Sequence, residues 1–220
     1  MIRQTTLHSI VKSEQPIIRR RKPLRLKEYD YSLASTYFVT ICTKDRIHLF
    51  GEIINGEMQC NNIGEIAERS WKELPQHFSN IMLDEFVVMP NHVHGVIILN
   101  EQDCRDVQLN IPTGNYFSRI SPKRQSLGVI VRTYKSAVTT ICRQNGYADF
   151  KWQHGYFDHI IRNEKASQRI REYIYNNPAM WGIDKENLER EGNNGFDKWI
   201  STEGKHHTLT KQKRSILRQV

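Results

Sequence analysis

Hydrophobic residues recur along the chain in two rhythms. "TYFVTICT" (Thr36–Thr43) is rich in β-branched and aromatic residues and predicts a first strand. "HLFGEIINGEMQCN" alternates on both sides of Asn55-Gly56, a pair that tolerates positive φ, and predicts a hairpin. In "NNIGEIAERSWKEL" the spacing changes. Ile63, Ile66, Ala67, Ser70, Trp71 and Leu74 fall on one stripe of a helix that starts near Asn61/Asn62 and stops before Pro75. "IMLDEFVVMP" and "HVHGVIILN" predict two further strands, with Pro90-Asn91 between them. "SLGVIVRTYKSAVTTICRQNG" carries Leu127, Ile130, Val131, Tyr134, Ala137, Val138 and Ile141 on one helical face and Arg132, Lys135 and Arg143 on the other, with Gly146 suited to the cap. "WQHGYFDHIIR" predicts a strand, and "EKASQRIREYIYNNP" a last helix between an Asn163 N-cap and Pro178.

The order β-α-β-β-α-β-α, with a hairpin after the first strand, predicts an α+β fold. Its form is an antiparallel β-sheet with helices on one face, of the ferredoxin-like or RRM-like kind. Residues 1–35 read as a basic N-terminal extension, 36–182 as the folded domain and 183–220 as a basic C-terminal tail. Residues 101–125 form a polar, turn-rich connection longer than most in compact domains. The chain has no internal repeat.

Composition narrows the class. At 220 residues, 38% of them hydrophobic, and with a mean hydropathy of −0.62, the chain suits one domain with a modest core. It has no eighteen-residue apolar run and no apolar export signal, so a soluble, cytoplasmic protein with no membrane partner is expected. Cys42, Cys60, Cys104 and Cys142 are far apart, with no CxxC pair, which fits reduced thiols better than a zinc site or a disulfide framework. The net charge of +8 is concentrated at the ends: residues 1–36 and 205–220 each carry +5, leaving 37–204 at −2. Such tails, Arg19, Arg20 and Arg21 among them, are either solvated termini or arms that gather a polyanion such as nucleic acid.

The chemistry lies in "VVMPNHVHGVIIL" (residues 87–99). Side chains repeat every second residue in a strand, so His92 and His94 share a face. A buried imidazole without a partner costs roughly 1–3 kcal/mol, so two side by side in an apolar strand are better explained by a shared cation. In "REYIYNNP", Tyr173 and Asn177 are four apart on one helix face, along the same side as Ala166 and Ile170. Beside the histidines they would be a nucleophile and a third ligand. On spacing alone a half-buried packing tyrosine and a helix-ending carboxamide before Pro178 are the better account.

These stretches carry a resemblance. "MPNHVHG" looks like the His–hydrophobic–His (HUH) motif of single-tyrosine HUH transposases, and "WQHGYFDHIIRNEKASQRIREYIYNNP" is similar to the C-terminal signature of their REP-associated branch, which acts on repetitive extragenic palindromes. The likeness covers about residues 36–182. It implies an HUH nuclease fold and a transposase active on single-stranded DNA at sites flanking a hairpin, through a 5′-phosphotyrosine. By that resemblance Tyr173 is the nucleophile, and His92, His94 and Asn177 hold Mg²⁺ or Mn²⁺. Tyr175, two residues on, would face away. Trp152, Tyr156 and Phe157, with Arg162, would stack on or clamp bases, or the aromatics would be core residues of an edge strand. His159 would contact DNA or pack at the strand end; Arg132, Lys135 and the basic tails would track phosphates. The expected partner is hairpin-forming, palindromic single-stranded DNA bound in a cytoplasmic, nucleoid-associated setting. A monomer is favoured over a homodimer. A non-catalytic DNA-binding protein on the same fold is the alternative.

Overall fold

The computed structural model of the protein describes residues 30–31, 33–100 and 126–202. Arg19, Arg20, Arg21, the 101–125 connection and residues 203–220 lie outside them. In chain order the elements are β1 (Ser35–Cys42), the hairpin β2 (Gly51–Ile54) and β3 (Glu57–Cys60), α1 (Asn62–Lys72), α2 (Leu74–His77), β4 (Ile81–Met89), β5 (His92–Leu99), α3 (Leu127–Gln144), β6 (Phe157–Ile161) and α4 (Glu164–Asn176). Residues 195–202 are also helical.

Local chemistry sets most boundaries where the spacing placed them. Asn55 and Gly56 turn the hairpin with φ of 52° and 80°. The Asn61 side chain caps α1 by accepting from the Ile63 and Gly64 N–H groups. Asn163 caps α4 by accepting from Ala166 N–H. As expected, α1 ends before Pro75, at Lys72, and Pro75 sits in the first turn of the short α2, where a missing N–H costs nothing. The strand expected from Trp152 starts only at Phe157. Trp152 makes only an isolated antiparallel bridge to Thr43, Gly155 holds φ +77°, and the Lys135 ammonium takes the Gln153 and Gly155 carbonyls at 2.7 and 2.9 Å.

The four long strands form one antiparallel sheet in the order β4-β5-β1-β6, and β2 and β3 pair separately. Alternation gives this sheet two different faces. Tyr37, Val39 and Ile41 of β1, with Val93 and Ile97 of β5, join Trp71 of α1 and Ile130, Tyr134 and Val138 of α3 in the larger core. Phe38 and Val96 face the other way, into a smaller core with Ile170 and Ile174 of α4 and with Phe196 and Ile200. The sheet and its helix-covered face are as expected, but α4 covers the opposite face, so the sheet is sandwiched. Residues 184–200 are also not a free tail: Asp184, Glu186, Asn187, Phe196 and Ile200 are buried. The apolar residues of this stretch are scattered without a helical or strand period, and a strongly basic stretch follows them in the chain. Among the described residues no helix is long and apolar enough to cross a membrane.

Gly95 shows how tightly the first face is packed. A Cβ there would lie 2.2 Å from Cζ2 of Trp71, so the indole can lie on β5 only because the residue after His94 has no side chain. Gly95→Ala is expected to destabilise the fold by about 1–3 kcal/mol. Adding Trp71→Phe should recover part of that loss. Equilibrium urea unfolding of the single and double variants measures both effects.

Candidate metal centre and nucleophile

The β1–β5 pairing fixes the first two groups. His94 lies opposite Thr40 and His92 opposite Cys42 in register, both imidazoles on the face that meets α4 and both fully buried. Their rings are 4.3 Å apart between centroids. Each is oriented through Nδ1, His92 by Asn91 Oδ1 at 2.8 Å and His94 by Thr40 Oγ1 at 2.9 Å.

The proton on His92 can be placed. Asn91 Nδ2 donates to the carbonyls of Arg46 and Glu186 at 3.1 and 2.8 Å, so its oxygen must face the imidazole. A carboxamide oxygen only accepts, so His92 Nδ1 carries the hydrogen and Nε2 the lone pair. That Nε2 is buried without a hydrogen-bond partner. Burial pushes both imidazoles below their usual range, against the pull of Asp184. At neutral pH they are unprotonated and free to ligate.

Helix α4 brings the remaining expected residues to the same place. Tyr173 Oη lies 3.2 Å from His94 Nε2, while Tyr175 is 78% exposed. The Tyr173 ring stacks on Phe196, centroids 3.6 Å apart and planes within 3°, and meets Phe38 edge-on at 6.1 Å. Asn177 ends the helix in αR geometry and is fully buried.

A residue not singled out from the sequence completes the cluster. The short 3₁₀ turn Trp181–Ile183 delivers Asp184, whose Oδ2 accepts from Tyr173 Oη at 2.8 Å and from Asn177 Nδ2 at 2.9 Å. Its Oδ1 accepts from the Glu186 N–H at 2.7 Å. Burial alone would raise this carboxyl, but the imidazoles and these hydrogen bonds outweigh it and bring it down to about 2. Ligand atoms of His92, His94 and Asp184 all lie within 4.8 Å of one another, and the three residues form a buried group able to bind a metal ion. No helical or strand period leads to Asp184. Its one sequence signal is an acid eleven residues after Tyr173, in a stretch read as tail.

The donor set fits a divalent cation. His92 Nε2 and Asn177 Oδ1 are both buried acceptors with no hydrogen-bond partner, and they adjoin an ionised carboxylate. Buried acceptors that no donor of the group reaches are what a cation satisfies. The set is not the neutral one that two histidines and Asn177 would make, because Asp184 adds a negative charge. Mixed imidazole and carboxylate ligation suits several first-row ions.

The phenol is held in its protonated form. Burial, then the Asp184 charge and hydrogen bond, push the Tyr173 hydroxyl above its usual range.

The residues expected to contact DNA divide between the two sides of the sheet. Arg132 is exposed on α3, on the side away from the histidines. On that side too, Lys135 is engaged with two carbonyls. Trp152 donates its indole N–H to the Lys135 carbonyl at 3.1 Å and packs on Phe50 and Phe150, and Tyr156 packs against the larger core. Phe157 borders the smaller core, with the Lys185 ammonium 4.6 Å from its ring centroid. His159 is buried in register with Phe38, its ring 6.4 Å from that of Trp199. Arg162 is exposed at the end of β6.

Fold and site together define an α+β protein with a buried His–His–Asp metal-ligand group beside a tyrosine. The chain belongs to the same family as an uncharacterized protein of Haemophilus influenzae (strain Rd), to which it is 41% identical over 170 residues, spanning 76% of this chain and 93% of that one. No protein-family profile matches it. Among solved structures it is similar to a REP-associated tyrosine transposase bound to a REP hairpin, with 19% identity, a TM-score of 0.48, and 72% and 74% of the two chains covered. It is also similar to a transposase candidate from Deinococcus radiodurans R1, with 16% identity, a TM-score of 0.32, and 69% and 97% covered.

Two measurements follow from this geometry. Mn²⁺ or Mg²⁺ at ~100-fold its dissociation constant is expected to stabilise the wild type by about 2.7 kcal/mol. His92→Ala and Asp184→Asn should lose that gain in thermal unfolding with and without metal. Burial, helped by the Arg162 charge, holds His159 down to about 4 against an ordinary 6.5. Between those values the unfolded chain binds more protons, so stability falls as pH drops through that window. His159→Gln should flatten the slope of unfolding free energy between pH 6.5 and 4 in urea titrations.

Proposed function

We propose that the protein is a metal-dependent tyrosine transposase acting on single-stranded DNA. It would cleave and rejoin a strand by transesterification at a site flanking a palindromic hairpin. The observation that carries this reading is the meeting of Tyr173 Oη with His94 Nε2 at 3.2 Å, 79 residues apart in the chain, inside a buried His–His–Asp group.

His92, His94 and Asp184, with the Asn177 carbonyl oxygen, would hold Mg²⁺ or Mn²⁺. When bound, the ion would act as a Lewis acid on the scissile phosphate and offset charge that develops in the transition state. Tyr173 Oη forms the new bond to phosphorus, the bond from phosphorus to the 3′-oxygen breaks, and the strand remains attached through a 5′-phosphotyrosine. The phenol gives up one proton and the departing 3′-oxygen takes one up. Asp184 receives the hydroxyl hydrogen bond at 2.8 Å and aims the oxygen. Its low basicity makes it an orienting group, so the proton passes on to solvent. Phe196 and Phe38 restrict the ring to the face that meets His94. Rejoining reverses these steps and needs no nucleotide triphosphate, because the phosphodiester energy is kept in the tyrosyl ester.

In this reading the reacting unit begins at residue 36 and extends past 182 to include Asp184 and Phe196. The protein works as a monomer in the cytoplasm, on the nucleoid. The basic ends gather the DNA.

The test uses a labelled oligonucleotide carrying a palindrome that flanks the gene, with Mn²⁺ or Mg²⁺, resolved on a denaturing gel. A covalent protein–DNA adduct is expected from the wild type, with none detectable from Tyr173→Phe and little loss of oligonucleotide binding. Binding without cleavage in either metal would leave a DNA-binding protein on this fold. Cleavage without an adduct would remove Tyr173 as the nucleophile.

A further inference from the structure

The loop between β1 and β2 is held in an unfavourable shape. Asp45 and Arg46 both adopt φ of +55°, a region that residues other than glycine keep only where the surroundings impose it. Here they are imposed by groups of the candidate site. Asn91 Nδ2 donates to the Arg46 carbonyl at 3.1 Å, Thr43 Oγ1 to the Ile47 carbonyl at 2.7 Å, and Arg46 Nε to buried Glu186 at 2.6 Å. The result is an exposed rim. Lys44 has 57% of its side chain in solvent, Ile47 is 55% exposed and His48 is exposed.

Against that rim stands Trp181. His48 meets its ring edge-on at 5.5 Å between centroids, and His92 lies 6.1 Å away at 30°. The indole therefore bridges the buried histidines and the surface. It is half-buried, and its N–H makes no hydrogen bond among the described residues. The chemistry above makes no use of an aromatic ring at this point.

We propose that Trp181, with Lys44 and His48, binds the unpaired nucleotide next to the scissile phosphate. This rests on the strand-transfer reading of the site. A phosphate placed at His92 and His94 is joined through one sugar to its neighbouring base, so that base falls within a nucleotide's reach of the ring adjoining His92. The base stacks on the indole, and the next phosphate meets Lys44 and His48. Stacking accepts any base with an open face and rejects one enclosed in a duplex. The platform thus selects single-stranded DNA beside the hairpin without reading its sequence.

The full-length protein is tested by fluorescence anisotropy with labelled oligo-dT and with an abasic oligomer of the same length. The wild type is expected to bind oligo-dT roughly tenfold more tightly, the scale of one stacked base. Trp181→Ala should erase that preference and Trp181→Phe should keep part of it. Both variants are checked for wild-type thermal unfolding. Lys44→Gln should keep the preference and reduce the slope of log affinity against log salt by about 0.7. A wild type without preference, or a Trp181→Ala variant that keeps it, would overturn the platform. The adduct assay with Tyr173→Phe reads the strand-transfer centre separately: an adduct with no Trp181-dependent preference removes only the platform, and a Trp181-dependent preference with no adduct removes only the strand-transfer reading.

Discussion

The antiparallel pairing of β1 with β5 is the constraint on which the rest of the molecule depends. Its register sets Thr40 against His94 and Cys42 against His92, and its alternation sends the two imidazoles to one side and Val93, Gly95 and Ile97 to the other. A shift of one residue would bury the wrong set on each face. The larger core holds this register in place: Trp71 lies on Gly95, and α1 and α3 close over it. The apolar side of the sheet therefore carries the cost of a polar group on the other side.

That polar side is organised around acceptors. Asn91 is its pivot. The carboxamide ties the Arg46 and Glu186 carbonyls together while its oxygen fixes the tautomer of His92. Asp184 does the same for the helix, joining Tyr173 and Asn177 through one oxygen and the Glu186 N–H through the other. Glu186 links the two through its ion pair with Arg46. The same buried carboxylate, with desolvation first, pushes the Cys42 thiol up to about 12, so this cysteine is an inert neighbour of the histidines. What is left over, His92 Nε2 and Asn177 Oδ1, is the unsatisfied remainder that a cation would complete.

The network also links the centre to the surface. The 3₁₀ turn that delivers Asp184 begins with Trp181, and the strained loop gripped by Asn91 and Glu186 carries Lys44 and His48. Buried geometry and outer rim are therefore set by the same few hydrogen bonds. A loop free of those bonds would relax out of the left-handed region and lose its place beside the indole.

The amino-acid sequence alone determined what depends on short-range spacing. The strand pair around Pro90-Asn91, the Asn55-Gly56 hairpin, the caps at Asn61 and Asn163, the common face of His92 and His94, and the shared helix side of Tyr173 and Asn177 all follow from residues within a turn or two of each other. Tertiary structure decided what depends on where elements dock. That α4 lies across the polar side of the sheet, that Lys135 and Trp152 belong to packing on the other side, and that Asp184 joins the histidines are matters of contact between segments as far apart in the chain as Phe38 and Tyr173. Asp184, Trp181 and Phe196 sit in short irregular stretches with no period to mark them. Their positions are fixed by burial and by partners from distant strands, which no local pattern encodes.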